Sequence, residues 1–245
     1  MGIRREGNIS LGLSKIKEVV DMASTIMSRS VSILVGEDTI EGDLNIPQNS
    51  RAIVIFAHGS GSGRHSPRNK YVAEVLNAGA ISTLLMDLLT PSEEAVDMQT
   101  AHLRFDIPFL ADRLVRVTDW VRQDSAIAEF SVGYFGASTG AAAALVAAAI
   151  RADVVKAVVS RGGRPDLAGS FLLHVRAPTL LIVGGNDKQV IELNYAAAKM
   201  LQTQYRVEII PGAGHLFEEP GTLDKVALLA REWFETHLIM RSKAA

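Results

Sequence analysis

The sequence contains no cysteine, which excludes disulfides, thiolate metal sites and a cysteine nucleophile. It has little excess of either charge: 25 Lys and Arg stand against 27 Asp and Glu, a formal net charge of -2. Such a balance leaves no basic footprint for nucleic acid and no polybasic patch for a membrane surface. Long apolar runs are missing too. The longest, Ala141 to Ile150, falls well short of the about 20 residues a transmembrane helix needs. The start, Met1-Gly2-Ile3-Arg4-Arg5, lacks the apolar stretch of a signal peptide. Glu6 stands where a myristoylation signal has serine or threonine. A cytoplasmic protein acting on a small molecule, without nucleic-acid or membrane partners, is the expectation.

What is present suffices for a full core, since 48% of the 245 residues are hydrophobic. Short apolar runs bounded by turn residues recur at Ala52–Ala57, Ile81–Met86, Val132–Phe135, Val155–Val159 and Thr179–Val183. Each is apolar on both faces, as in strands buried between helix layers. Helical patterns fall between and after them. Asp106 is placed to cap a helix carrying Leu110, Leu114, Val117 and Val121 on one face. Thr139–Ile150 is alanine-rich, and Val190–Leu201 and Leu223–Leu238 supply two more helices. This alternation predicts an α/β fold with a mostly parallel sheet covered on both faces. Val31–Val35 and Thr39–Ile46, separated by Gly36-Glu37-Asp38, read as an antiparallel hairpin at its edge. Leu13, Ile16, Val20, Ala23 and Met27 repeat at three and four residues, the pattern of an amphipathic helix outside the alternation. Packing on its own domain is the simpler expectation for it, and a homodimer contact the other.

The stretch Gly136-Ala137-Ser138-Thr139-Gly140 sits between a buried strand and the alanine-rich helix. A serine on a sharp strand-to-helix turn needs small neighbours, and its hydroxyl then stands at a helix N-terminus above the sheet edge. A serine hydroxyl is a weak nucleophile until a held base takes its proton, so Ser138 alone decides nothing. Three further features accompany it. The strand ending at Ala57 runs into His58-Gly59-Ser60-Gly61-Ser62-Gly63. The amide of Ser60 and that of Thr139, directly after the serine, would make an oxyanion hole. A phosphate cradle is the alternative for this loop. Its glycines have neither the dinucleotide spacing nor a following Gly-Lys-Ser/Thr. Asp187 follows the strand ending at Val183, where an acid can fix an imidazole's tautomer. His215 lies on the small-residue loop Pro211–Gly214 after a last strand, Val207–Ile210. His174 lies nearest to such a placement but within an apolar helix-like stretch. The order Ser138, Asp187, His215 is that expected of three groups on strand ends of one parallel sheet.

Through "VIFAHGSGSGRHSPRN", "GYFGASTG", "LIVGGNDKQV" and "PGAGHLFEEPG" the chain resembles the α/β-hydrolases, and among them the dienelactone-hydrolase-like group. The resemblance implies an eight-stranded sheet without a large cap domain. It also implies a Ser-His-Asp triad of Ser138, His215 and Asp187, and ester hydrolysis that needs neither metal nor organic cofactor. Residues 1–29 would be a helical extension and 30–245 a single hydrolase domain. True dienelactone hydrolases use a cysteine nucleophile. Serine at 138 moves the expectation toward a carboxylesterase, with a lactonase using the same triad, or a non-catalytic binding protein on this fold, as alternatives. Two loops bear on substrate choice. Arg161 and Arg164 flank Gly162-Gly163 and would either grip a substrate carboxylate or tie down their own loop. Pro91–Asp97 is too short for a lid, so an open, shallow pocket for small acyl groups is expected.

Overall fold

The computed structural model describes residues 26–240. Eight strands form one sheet in the order β1-β2-β4-β3-β5-β6-β7-β8. They are β1 (Ile26–Val35), β2 (Asp38–Pro47), β3 (Ala52–Ala57), β4 (Ser82–Met86), β5 (Ser131–Ala137), β6 (Val155–Arg161), β7 (Thr179–Gly184) and β8 (Tyr205–Ile210). From β4 through β8 every pairing is parallel, while β2 runs antiparallel to both β1 and β4. The inner strands β3, β4 and β7 are buried at every residue. That is why their sequences are mostly apolar rather than alternating, with Ser82, Thr83 and Thr179 as the buried hydroxyls at the strand starts. The outer strand β1 alternates instead, with Val31, Ile33 and Val35 buried between exposed neighbours.

Among the described residues six α-helices cover the sheet: α1 (Pro67–Ala78), α2 (Pro91–Thr100), α3 (Ile107–Val121), α4 (Thr139–Ile150), α5 (Lys188–Ala198) and α6 (Thr222–Phe234). On one face Leu110, Leu114 and Val117 of α3 pack with the alanines of α4 in one apolar cluster. Val72 and Leu76 of α1 join Val226, Trp233 and Phe234 of α6 in the cluster on the other face. The short side chains of α4 let it lie against the sheet, and every residue from Thr139 to Ala148 is buried. The Asp106 side chain accepts a hydrogen bond from the Phe109 amide, capping α3 as its sequence predicts. Among the described residues no helix is long and apolar enough to cross a membrane.

Two boundaries differ from expectation. The hairpin is longer than its apolar core: Met27 pairs with Ile46 and Ile26 with Pro47. Residues 26–29, assigned above to a helical extension, are therefore sheet residues. The rest of the helical repeat, Leu13 to Ala23, and the homodimer contact expected of it lie outside the described residues. Helices α1 and α2 are additional. Buried Asn69 and Asn77 interrupt the apolar stripe of α1. Helix α2 buries only Asp97 and so has no stripe at all.

Candidate active site

Ser138 joins β5 directly to α4 with φ 51° and ψ -122°, a left-handed conformation that costs a non-glycine residue about 1–3 kcal/mol. The flanking glycines permit it. A Cβ on Gly140 would lie 2.3 Å from the carbonyl oxygens of Ala57 and His58, and one on Gly136 only 2.4 Å from Ala141 Cα. Neither position has room for a methyl group. The serine's backbone is held on both sides by the loop after β6. Its N–H donates to the Arg161 carbonyl (3.3 Å), and its carbonyl accepts from the Arg164 amide (3.1 Å).

Asp187 follows β7 and His215 follows β8, so both stand at the same carboxyl edge of the sheet as Ser138. His215 Nδ1 and Asp187 Oδ2 are 2.7 Å apart. An ionised carboxylate can only accept, which puts the proton on Nδ1 and leaves Nε2 as the basic nitrogen. The two loops are joined backbone to backbone. The amides of Gly185 and Asn186 donate to Ile210 (2.8 Å) and Ala213 (2.9 Å), and Asn186 Nδ2 donates to Gly212 (2.8 Å). Glu219 Oε1 accepts from the Gly214 amide (3.0 Å), steadying the turn that carries the imidazole. A Cβ on Gly162 would be 3.0 Å from the His215 carbonyl oxygen and 3.7 Å from its Cε1, so the β6 loop that clamps Ser138 also runs beside His215. The three residues picked from sequence therefore share one sheet edge, linked through that loop. His174 closes a 3-10 segment, Pro165–His174, and does not follow a strand.

The loop with Ser60 crosses over the serine: a Cβ on Gly59 would come within 3.0 Å of Ser138 Cβ. Thr139 is the first residue of α4, where the amides have no intrahelical partner. Sequence reasoning passed over His58, which is buried beneath this loop. Its Nε2 accepts from the Leu88 amide (3.0 Å), so Nδ1 carries the hydrogen and donates to the Gly59 carbonyl (2.9 Å). Burial lowers its pKa from 6.5. Between that lowered value and 6.5 the unfolded chain binds a proton that the native state refuses. The stability due to neutral His58 is thus complete above 6.5 and shrinks as the pH falls below it. Melting temperature is expected to decline on acidification from about pH 7 to about pH 5. His58→Gln should flatten that decline, and an equal slope in both proteins would contradict it.

Beside the oxyanion-hole candidates lies a narrow cavity of about 30 Å³. Ser60, Thr139, Leu88, Leu89 and Leu110 line it, together with Arg104, which donates from Nε to Asp97 at 2.6 Å. A wider groove of about 500 Å³ runs between the β1–β2 hairpin and α1, and none of the strand-end residues lines it. The two arginines separate in the structure. Arg164 donates to both oxygens of Asp166 (2.8 and 2.7 Å), which ties down its own loop. Arg161 is buried and has no acidic partner among the described residues. Among the described residues no group of three or more His, Asp or Glu side chains is placed to hold a metal ion.

The sequence profile of the dienelactone hydrolase family matches residues 41–238. A dienelactone hydrolase from Anabaena variabilis, 59% identical, superposes with a TM-score of 0.86 over 87% of this chain and 99% of its own. Est1E from Butyrivibrio proteoclasticus shares the fold at 17% identity, with a TM-score of 0.71 over 84% of this chain and 98% of its own. A lidless α/β serine hydrolase from Xanthomonas campestris does so at 18%, with a TM-score of 0.67 over 85% of this chain and 94% of its own. Two Mycobacterium tuberculosis proteins described as "Putative phosphoribosyl transferase" are 54% identical over 213 residues. That match takes in 87% of this chain but 47% of theirs, so the chain spans about half the length of these curated relatives. With its mostly parallel eight-stranded sheet and a profile match running from β2 into the last helical turns, the chain belongs to the dienelactone hydrolase family, a family of α/β hydrolases.

Proposed function

We propose that the protein cleaves small carboxylic esters through an acyl-enzyme, with Ser138 as nucleophile, His215 as base and Asp187 as its orienting acid. One observation carries the reading: a serine held at φ 51° shares a sheet edge with an imidazole whose Nδ1 is fixed 2.7 Å from a carboxylate. In this reading Nε2 of His215 takes the hydroxyl proton as Oγ attacks the carbonyl. Asp187 stabilises the imidazolium that forms. The amides of Thr139 and Ser60 receive the oxyanion, each such donor contributing about 3 kcal/mol to the transition state. His215 returns the proton to the leaving alcohol and then draws one from the water that frees the acyl group.

A lactonase is the second reading, favoured by the 59% identity to a protein named dienelactone hydrolase. The same residues would open a cyclic ester. Serine at 138, where true dienelactone hydrolases have cysteine, weighs toward acyclic esters. The description of the Mycobacterium tuberculosis relatives belongs to proteins of which this chain matches 47%.

Fluorophosphonate labelling followed by peptide mapping, run beside a panel of p-nitrophenyl esters and lactones, tests the proposal. Label on Ser138 is expected, as is hydrolysis that slows once the acyl chain outgrows the narrow cavity beside Thr139. Absence of labelling at Ser138 would remove the serine hydrolase reading. A preference for long acyl chains would remove the small-substrate part of it.

A further inference from the structure

Four groups able to carry charge line the cavity beside Ser60 and Thr139: His58, Glu94, Asp97 and Arg104. Three of them leave no net charge there. His58 accepts from the Leu88 amide at Nε2 and so is neutral. Asp97 is only 2% exposed and receives the Leu103 and Arg104 amides at 2.7 and 3.1 Å. Arg104 turns its guanidinium to the same residue, with Nε 2.6 Å from the carboxylate and Nη2 3.0 Å from the carbonyl. That pair cancels.

Glu94 is the exception. It is exposed, and among the described residues its carboxylate has neither a hydrogen bond nor an ion pair. Its neighbour on α2 contrasts with it: Glu93 closes the capping box with Thr90 and receives Arg113. The start of α2 therefore has a carboxylate without calling on Glu94. Two observations put the Glu94 charge over the cavity. It shares the lining with Ser60 and Thr139. It is also felt by His58 beneath the loop: burial lowers the His58 pKa, and the carboxylates opposing that are Asp87 and Glu94. Asp87 already has Arg64. Leu88, Leu89 and Leu110 make the remaining wall apolar. The result is a narrow apolar passage with one uncompensated negative charge on its exposed side.

We propose that Glu94 selects the acyl half of the substrate, favouring an ester whose acyl chain is apolar next to the carbonyl and ends in an ammonium group. The inference rests on the hydrolase reading for the position of the ester and gives that reading a substrate class. Attraction of a cation to Glu94 does not depend on it. The leucines receive the methylenes, and the ammonium meets the carboxylate where water and salt screen the attraction to a modest size. The same carboxylate opposes the negative charge that gathers on the carbonyl oxygen at the Ser60 and Thr139 amides. A cation on the substrate cancels that opposition, and a second carboxylate adds to it. Esters bearing an acid group on the acyl chain are thus the disfavoured ones.

The kinetic test uses three p-nitrophenyl esters of one acyl length, ending in trimethylammonium, in its neutral tert-butyl isostere and in carboxylate. The kcat/KM ratio of the cationic to the tert-butyl ester is expected to fall about threefold in Glu94→Gln. It should fall about tenfold in Glu94→Lys, where the interaction changes sign, while the ratio for the carboxylate ester rises. The intrinsic reactivity of each ester cancels when proteins are compared, and a role for Glu94 in α2 alone would slow all three alike. In a binding arm, Ser138→Ala protein is titrated with butyltrimethylammonium chloride against sodium chloride at equal ionic strength, followed by NMR. Saturable shifts at the amides of Ser60, Leu88 and Leu89 are expected, and should be lost when Glu94→Gln is added. Ratios that stay put in both Glu94 variants would overturn the selection even where esters are cut. Saturable shifts without ester cleavage by the wild type would sustain the cation site and remove the hydrolase reading. Neither shifts nor cleavage would remove both.

Discussion

Replacing Ser138 with alanine is expected to lower kcat on short p-nitrophenyl esters by about 10⁶-fold, the scale seen when a triad nucleophile is lost. Melting temperature should hardly change, because Ser138 Oγ caps nothing: the first turn of α4 has no side-chain cap. The backbone strain at φ 51° is the same for serine and alanine. That equality provides an internal control. Glycine carries no Cβ to oppose a positive φ, so Ser138→Gly should be as inactive as the alanine variant yet more stable, by about 1 kcal/mol. Thermal unfolding of both variants with one ester assay checks the pair. An alanine variant that keeps more than a trace of activity would show that Ser138 is not the nucleophile. A glycine variant no more stable than alanine would show that the turn is not strained.

The second large effect is expected at Gly140, where chemistry and folding meet. A methyl group there would stand 2.3 Å from two carbonyl oxygens of the β3 strand end, and backbone cannot swing aside as a side chain can. Gly140→Ala should cost on the order of 3 kcal/mol, at the upper end for overpacking. Any relaxation must move α4 away from β3, and with it Ser138 from the Ser60 loop. Activity should therefore fall about 10²-fold or more even in the molecules that remain folded. Denaturant unfolding gives the first number and active-site-normalised kinetics the second. A variant that loses stability but not turnover would mean that the strand-to-helix turn tolerates displacement.

The strands and the strand-end residues were legible for a common reason. A strand buried on both faces is mostly apolar, so β3, β5 and β7 stood out, and the small residues after them marked where the chain must turn. Gly136 and Gly140 could be read because sterics leave no other residue there. The legible parts were thus set by local rules. What escaped depends on partners far away in sequence. Arg161 and Arg164 look alike on paper, yet Asp166, two residues from Arg164, satisfies the second, while among the described residues no carboxylate pairs with the first. His58 reads as an ordinary loop residue until Leu88, thirty positions on, supplies its hydrogen bond. Helix α2 could have been found by a different signal. Thr90 and Glu93 form a capping box, with the Glu93 amide donating to Thr90 Oγ1 and the Thr90 amide donating to Glu93 Oε2. Met27 was misplaced because an apolar residue at helical spacing is also an apolar residue on an outer strand.

The loops bearing Ser138, Asp187 and His215 are stitched to one another by main-chain hydrogen bonds, whereas the segment from Leu88 to Phe105 is secured differently. The carboxylate of Asp97 gathers the amides of Leu103 and Arg104 together with the Arg104 guanidinium, and Glu93 reaches Arg113. Main-chain bonds survive almost any side-chain replacement; carboxylate anchors do not. The strand-end loops are therefore fixed by the fold itself, and the Leu88–Phe105 side of the cavity next to Thr139 by a handful of exchangeable residues. If Ser138, Asp187 and His215 react as proposed, substrate range can drift by rewriting the stretch between Leu88 and Phe105 while those three stay in register.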